Sequence, residues 1–269
     1  MFLLAYPSRS VIRKSIILPL LLVTLISLAL GQVRTGERQP APEAVALANL
    51  GFTYCKSGEY TKAVEALTRA LQLEPELAEA HYFLGATYNN MGLHSQALKE
   101  FKEATRLRPQ WAEAYSGLGV TYNCLKLLDD SVKALQHAIK LAPGWAQPHV
   151  NLSVTYTNQR RFQEALEASQ QAIRLEETLP EAHYRLGVAY GYLRKNKEAI
   201  DSFRRAILLK PDYAEAHMNL GVIYLLINKK AEAIAQYQKV RELNQRLASE
   251  LSRAIYGDKI LTVSQPRPK

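Results

Sequence analysis

Residues 78–109 read AEAHYFLGATYNNMGLHSQALKEFKEATRLRP, and this stretch decides the fold. From Ala78 to Met91 the apolar residues recur at helical spacing, and the one helix-weakening residue is Gly85. Met91-Gly92 breaks the pattern. A second helical stretch runs from about His94 to Leu107, and Pro109 stops it. The unit is a helical hairpin. Gly85 and Ala97 are small because helices crossing at about 8–10 Å leave no room for larger side chains. Leu84, Tyr88 and Phe101 supply the bulk around that crossing.

Working outward, the same unit recurs at a spacing of 34 residues without insertion or deletion. Leu50-Gly51, Leu84-Gly85, Leu118-Gly119, Leu152-Ser153, Leu186-Gly187 and Leu220-Gly221 keep one register. Tyr54, Tyr88, Tyr122, Tyr156, Tyr190 and Tyr224 follow three residues later, and Ala63, Ala97, Ser131, Ala165, Ala199 and Ala233 twelve residues after the Gly or Ser. Pro75, Pro109, Pro143 and Pro211 close four of the six units. Repeat 4 departs most, with Ser153 for Gly, Ser169 where a large residue packs elsewhere, and Glu177 for Pro, the proline coming later as Pro180. Repeat 6 has Gln245 at the closing position.

This pattern resembles the tetratricopeptide repeat (TPR) family over residues 44 to about 245. The resemblance implies an all-α fold, a right-handed superhelical α-solenoid of six helix-turn-helix repeats at 44–77, 78–111, 112–145, 146–179, 180–213 and 214–245. A lone hairpin cannot bury its apolar face, so neighbours stack. Asn244 can cap a further helix over 246–257, with Leu247, Leu251, Ala254 and Ile255 on one face as a cover for the last repeat. Residues 258–269, with Pro266 and Pro268, read as a disordered tail.

The N-terminal flank has a different character. Arg9, Arg13 and Lys14 precede the uncharged apolar run 15–30, after which come Gly31 and the polar stretch 32–43. That order is a secretory signal peptide over 1–31 and a linker over 32–43. Ala29 and Gly31 are the small residues of a cleavage site that leaves Gln32 as the mature N-terminus. The expected location is periplasmic or secreted. The alternative is a retained membrane anchor formed by residues 15–30, although this run is shorter than the roughly 20 residues a span needs and contains Pro19.

Composition excludes several classes. With 48% hydrophobic and 22% charged residues among 269, wholesale disorder is ruled out. Cys55 and Cys124 lie two repeats apart, beyond bridging distance, and neither has zinc-ligand spacing, so free thiols are expected. His81, His149, His183 and His217 share the fourth position of their units, where the family packs a large residue. Equivalent positions about 10 Å apart cannot share one metal ion, so no metal site is expected. No nucleophile elbow, zinc-protease motif or phosphate-cradling loop is present. No catalytic residues and no cofactor are expected, and the chain reads as non-enzymatic. RNA-reading helical repeats are disfavoured by the Gly/Tyr register, the modest charge left after the basic leader, and the export signal. A relative of TPR-bearing protein glycosyltransferases stays as an alternative, without sequence left over for a catalytic domain.

The resemblance directs attention to positions 2, 5, 6, 9, 12 and 13 of each unit, which line the concave face in the family. They hold Asn49, Asn151 and Asn219 at position 6, with Asn89, Asn90, Asn123 and Asn158 at positions 12 and 13. Phe52, Tyr82, Phe83, Tyr184, Tyr192, Met218 and Val222 interleave, with Arg185 as a basic member. Asparagine offers donor and acceptor to an extended backbone, and the aromatics can cover its apolar side chains. The expected partner is a protein or peptide segment. Ala48 and Phe52, or Val150 and Val154, replace the Lys and Asn of the family's carboxylate clamp. A second surface is basic: Arg160, Arg161, Arg194, Lys195, Lys197, Lys229 and Lys230 fall at the hairpin tips of repeats 4–6. With a retained N-terminal segment this edge offers an alternative role, a membrane-tethered assembly scaffold.

Overall fold

The computed structural model describes residues 40–257. Residues 1–39 and 258–269, where the signal segment with Gly31 and Gln32 and the tail are expected, lie outside the described residues. Within 40–257 the chain forms thirteen α-helices and no strands. They are α1 (Pro42–Lys56), α2 (Tyr60–Leu73), α3 (Ala78–Asn90), α4 (His94–Leu107), α5 (Ala112–Cys124), α6 (Leu128–Leu141) and α7 (Ala146–Asn158). They continue as α8 (Phe162–Leu175), α9 (Pro180–Tyr192), α10 (Asn196–Leu209), α11 (Ala214–Leu226), α12 (Lys230–Leu243) and α13 (Gln245–Tyr256). Six hairpins and one terminal helix result.

Each hairpin turns in the same way. The backbone N–H of Glu59, Leu93, Leu127, Arg161, Lys195 and Lys229 donates to the carbonyl of the register tyrosine five residues earlier, at 2.8–2.9 Å. The residue just before each donor is left-handed: Gly58, Gly92, Lys126, Arg160, Arg194 and Asn228 all have φ between 58° and 76°. This is the Schellman closure of a helix, and its left-handed residue explains Gly58 and Gly92.

The crossings are tight where the register glycines fall. A Cβ on Gly187 would lie 2.7 Å from Phe203 Cδ1, one on Gly119 2.6 Å from Leu135 Cγ, and one on Gly51 2.5 Å from Leu67 Cγ. Repeat 4 solves the same crossing with two small polar residues. Ser153 Oγ and Ser169 Oγ meet at 2.7 Å, both fully buried, and Ser169 Oγ also donates to the Ala165 carbonyl at 2.8 Å. The two departures of repeat 4 thus compensate each other.

Stacking sets the curvature. The first helices touch in sequence, α1 on α3, α3 on α5 and so on to α11 on α13, whereas successive second helices make no comparable contact. The first helices therefore line the inner face. At the end of the array α13 occupies the place of a seventh first helix. Asn244 Oδ1 accepts from the Leu247 N–H at 3.1 Å, and Leu251 reaches to within 2.9 Å of a Cβ position on Gly221.

Candidate functional site: the inner face of the first helices

The inner face divides into three stretches. Over repeats 1 and 2 it is aromatic. Phe52 of α1 stacks on Phe83 of α3 with ring centroids 4.7 Å apart, and Phe52 remains 42% exposed. Tyr82 meets Phe83 edge-on at 5.6 Å and Trp111 at 4.7 Å, and Arg108 lies 5.2 Å from the Trp111 ring. Asn49 stands exposed one turn before Phe52. These groups form an open shelf.

The middle stretch is a ladder between repeats. Asn89 Nδ2 donates to Thr121 Oγ1 and Asn123 Nδ2 to Thr155 Oγ1, both at 2.8 Å, while Asn158 Nδ2 donates to Asn123 Oδ1 at 2.8 Å. Each acceptor threonine in turn donates to the carbonyl one turn earlier, Thr121 to Gly117 and Thr155 to Asn151. Position 12 of one repeat thus grips position 10 of the next. Asn89, Asn123 and Asn158 hold the stack together before any ligand arrives. Sequence reasoning missed their partners, although the signal was there. Thr53, Thr87, Thr121 and Thr155 share position 10 of repeats 1–4, and the pattern ends where positions 10 and 12 become Ala189 and Gly191, then Ile223 and Leu225.

Over repeats 4–6 a polar network runs across the helices. Asn151 Nδ2 donates to Ser116 Oγ at 3.3 Å, and Gln147 Nε2 reaches both Asn151 Oδ1 and Glu181 Oε2 at 3.3 and 3.5 Å. Arg185 Nη2 donates to Glu181 Oε1 at 3.0 Å, its guanidinium lies 5.1 Å from the Tyr184 ring, and its Nε is buried without a hydrogen-bond partner. Asn219 Nδ2 donates to the Tyr184 hydroxyl at 3.0 Å. Burial pushes the Tyr184 and Tyr213 hydroxyls up, against a smaller opposing pull from Arg185. Both stay protonated at neutral pH.

The structure corrects part of the expected groove. Met218 and Asn219 are fully buried and Tyr184 nearly so, where an open lining was expected. The reason lies in α11, which is apolar around its circumference, and such a helix is buried rather than amphipathic. Val222 is buried with them. Tyr192 packs flat on Phe162 of α8, centroids 4.5 Å apart and planes 5° apart, away from the aromatic shelf. Open or half-buried inner-face positions are Asn49, Phe52, Tyr82, Phe83, Asn151 and Arg185, with the ladder asparagines between them.

The position-four histidines bond to the fold itself. The ring Nε2 of His81, His183 and His217 lies 2.8–3.0 Å from the carbonyl six residues earlier, on Pro75, Glu177 and Pro211. Burial opposes protonation of His81, but its Nδ1 sits 2.7 Å from Glu100 Oε2, and two acceptors facing two ring nitrogens raise its pKa overall. For His149 burial and the nearby Arg174 both act in the other direction and lower it. Cys55 and Cys124 are free thiols.

Repeated hairpins in one register, a Schellman closure in each, and an inner face made by the first helices define a helical-repeat interaction protein. Sequence profiles of the tetratricopeptide repeat match residues 51–92, 78–110, 150–185 and 184–246, and the chain belongs to that family. The fold is similar to a chain of the crystal structure of the APC/C hetero-tetramer Cut9-Hcn1, with a TM-score of 0.72 and 22% identity over 87% of this chain and 46% of that one. This chain therefore spans under half the length of that relative. It is also similar to MamA protein (TM-score 0.54, 26% identity, 64% of this chain and 94% of that chain). A third is YrrB, a TPR protein with an unusual peptide-binding site (TM-score 0.51, 21% identity, 71% and 99%). No curated protein sequence matches the chain. The fold is that of a protein-interaction scaffold.

Proposed function

We propose that this chain is a non-catalytic scaffold that binds an extended polypeptide segment along its inner face, outside the cytoplasm. The observation that carries the reading is the exposed Phe52–Phe83 stack beside Asn49, an apolar shelf with an adjacent unburied amide. Soluble proteins leave few stacked aromatics open without a partner to cover them. The similarity to YrrB supports a peptide as occupant. The occupied stretch is repeats 1–4, because Met218 and Asn219 of repeat 6 are buried. Export rests on the apolar run 15–30 and its Ala29-Leu30-Gly31 exit.

Affinity isolation from the exported fraction, followed by mass spectrometry, identifies the partner. The double variant Phe52→Ala/Phe83→Ala should lose it, whereas Leu208→Ala on the outer helix α10 should retain it. Equal recovery by both variants contradicts the groove reading.

A further inference from the structure

We propose that the row of hairpin turns is a docking edge for an anionic lipid surface, independent of the peptide groove. The six left-handed turn positions repeat every 34 residues as Gly58, Gly92, Lys126, Arg160, Arg194 and Asn228. Glycine takes this conformation freely and asparagine tolerates it, but lysine and arginine carry a steric penalty there. In repeats 3, 4 and 5 the chain accepts that penalty at three consecutive tips.

The fold gives nothing back for it. A Cβ built on Gly58 or Gly92 meets no atom within 4 Å, so the turn position projects into open space. Lys126, Arg160 and Arg194 are exposed, and among the described residues none of them makes an ion pair or a side-chain hydrogen bond. Their neighbours at the tips are of two kinds. Arg161, Lys195, Lys197, Lys229 and Lys230 extend the charge through repeats 4–6, while Met91, Leu93 and Leu127 stand 40%, 39% and 44% exposed in repeats 2 and 3. Glu164 engages Arg161 at 2.9 Å and Glu232 engages Lys229 at 3.9 Å, so part of the charge is internally matched. Asp129, Asp130 and Glu198 begin the second helices of repeats 3 and 5.

Long basic side chains beside exposed leucine and methionine, on tips that project into open space, are the composition that enters a headgroup layer. The cations meet lipid phosphates and the apolar groups reach the acyl boundary. A protein partner would call for a fitted recess around the apolar anchors. Tips about 10 Å apart are separated by about a Debye length at moderate salt, so each acts as its own contact.

The test uses the full chain and its variant K126G/R160G/R194G on vesicles of phosphatidylcholine with or without about 30% phosphatidylglycerol. The apolar run 15–30 is common to both proteins, so its own membrane affinity cancels in the ratio of anionic to neutral binding. At about 0.1 M salt the ratio should fall about five-fold for each basic residue removed, and about a hundred-fold for all three. Its thermal midpoint should be no lower than the parent's, since glycine accepts the left-handed turn. A second variant, L93A/L127A, keeps the charge and should also weaken anionic-vesicle binding. An unchanged ratio in the glycine variant overturns the proposal. So does parent-like binding by L93A/L127A, which would make the edge a general polyanion site.

Discussion

Transplanting the repeat 4 crossing into repeat 5 tests how the hairpins are packed. In Gly187→Ser the new Cβ would sit 2.7 Å from both Cδ1 and Cε1 of Phe203, a ring with no exposed surface and no room to yield. Overpacking of this kind costs about 1–3 kcal/mol. Phe203→Ser alone removes a buried aromatic ring and costs about 3–5 kcal/mol. If the two sites were independent, the double variant would lose about 4–8 kcal/mol. The geometry of Ser153 and Ser169 says otherwise: without the ring there is nothing to strike, and the two hydroxyls can pair as they do at 2.7 Å in repeat 4. The hydroxyl pair returns about 0.5–1.5 kcal/mol. The double variant should therefore be about 1.5–4.5 kcal/mol more stable than additivity allows. Equilibrium urea unfolding followed by circular dichroism, fitted with nearest-neighbour coupling between repeats, measures this. A double variant within about 0.5 kcal/mol of the summed singles would refute the account of the crossing.

Three other outcomes are expected. Asn219→Ala strands the buried Tyr184 hydroxyl and should cost about 1–3 kcal/mol, whereas Asn49→Ala on the exposed shelf should stay within about 0.5 kcal/mol; chemical denaturation compares them. The raised pKa of His81 means its contribution is fully present below the unfolded value near 6.5 and is lost as pH rises through the folded one. His149, lowered, disfavours the fold as pH falls through that same unfolded value. Relative to the parent, His81→Gln should thus lose more stability at pH 5.5 than at pH 8.5, and His149→Gln should gain at the lower pH; a slope of the opposite sign for either variant would contradict that residue's assignment. N-terminal sequencing of the exported protein should begin at Gln32, and recovery of Met1 in the membrane fraction would favour the anchor instead.

The hairpin register was legible because it is written in residues whose size or shape has one structural use. A glycine at five of the six crossings, a tyrosine three residues on in every unit and a closing proline in four fix helix, partner and turn together. What stayed hidden depends on pairs. Ser153 and Ser169 each look like a local weakness, and only their 2.7 Å contact shows that one permits the other. Asn89 and Asn123 read as free amides because their threonine partners are 32 residues away on the next repeat. The left-handed state of Lys126, Arg160 and Arg194 was masked by side chains that do not prefer it, although Gly58 and Gly92 mark the same position. Its register number alone puts Asn219 on an open face, whereas the apolar circumference of α11 decides its burial.

The central claim is that the inner face of the first helices, not the outer face of the second, receives the polypeptide partner. Replacing Phe52 with the photo-reactive benzoylphenylalanine, and separately Leu208 on α10, places one probe on the aromatic shelf and one on an exposed outer helix. Irradiation in the exported fraction should cross-link a partner polypeptide from position 52 and leave position 208 without that adduct. Capture of the same partner from position 208, with none from position 52, would contradict the account.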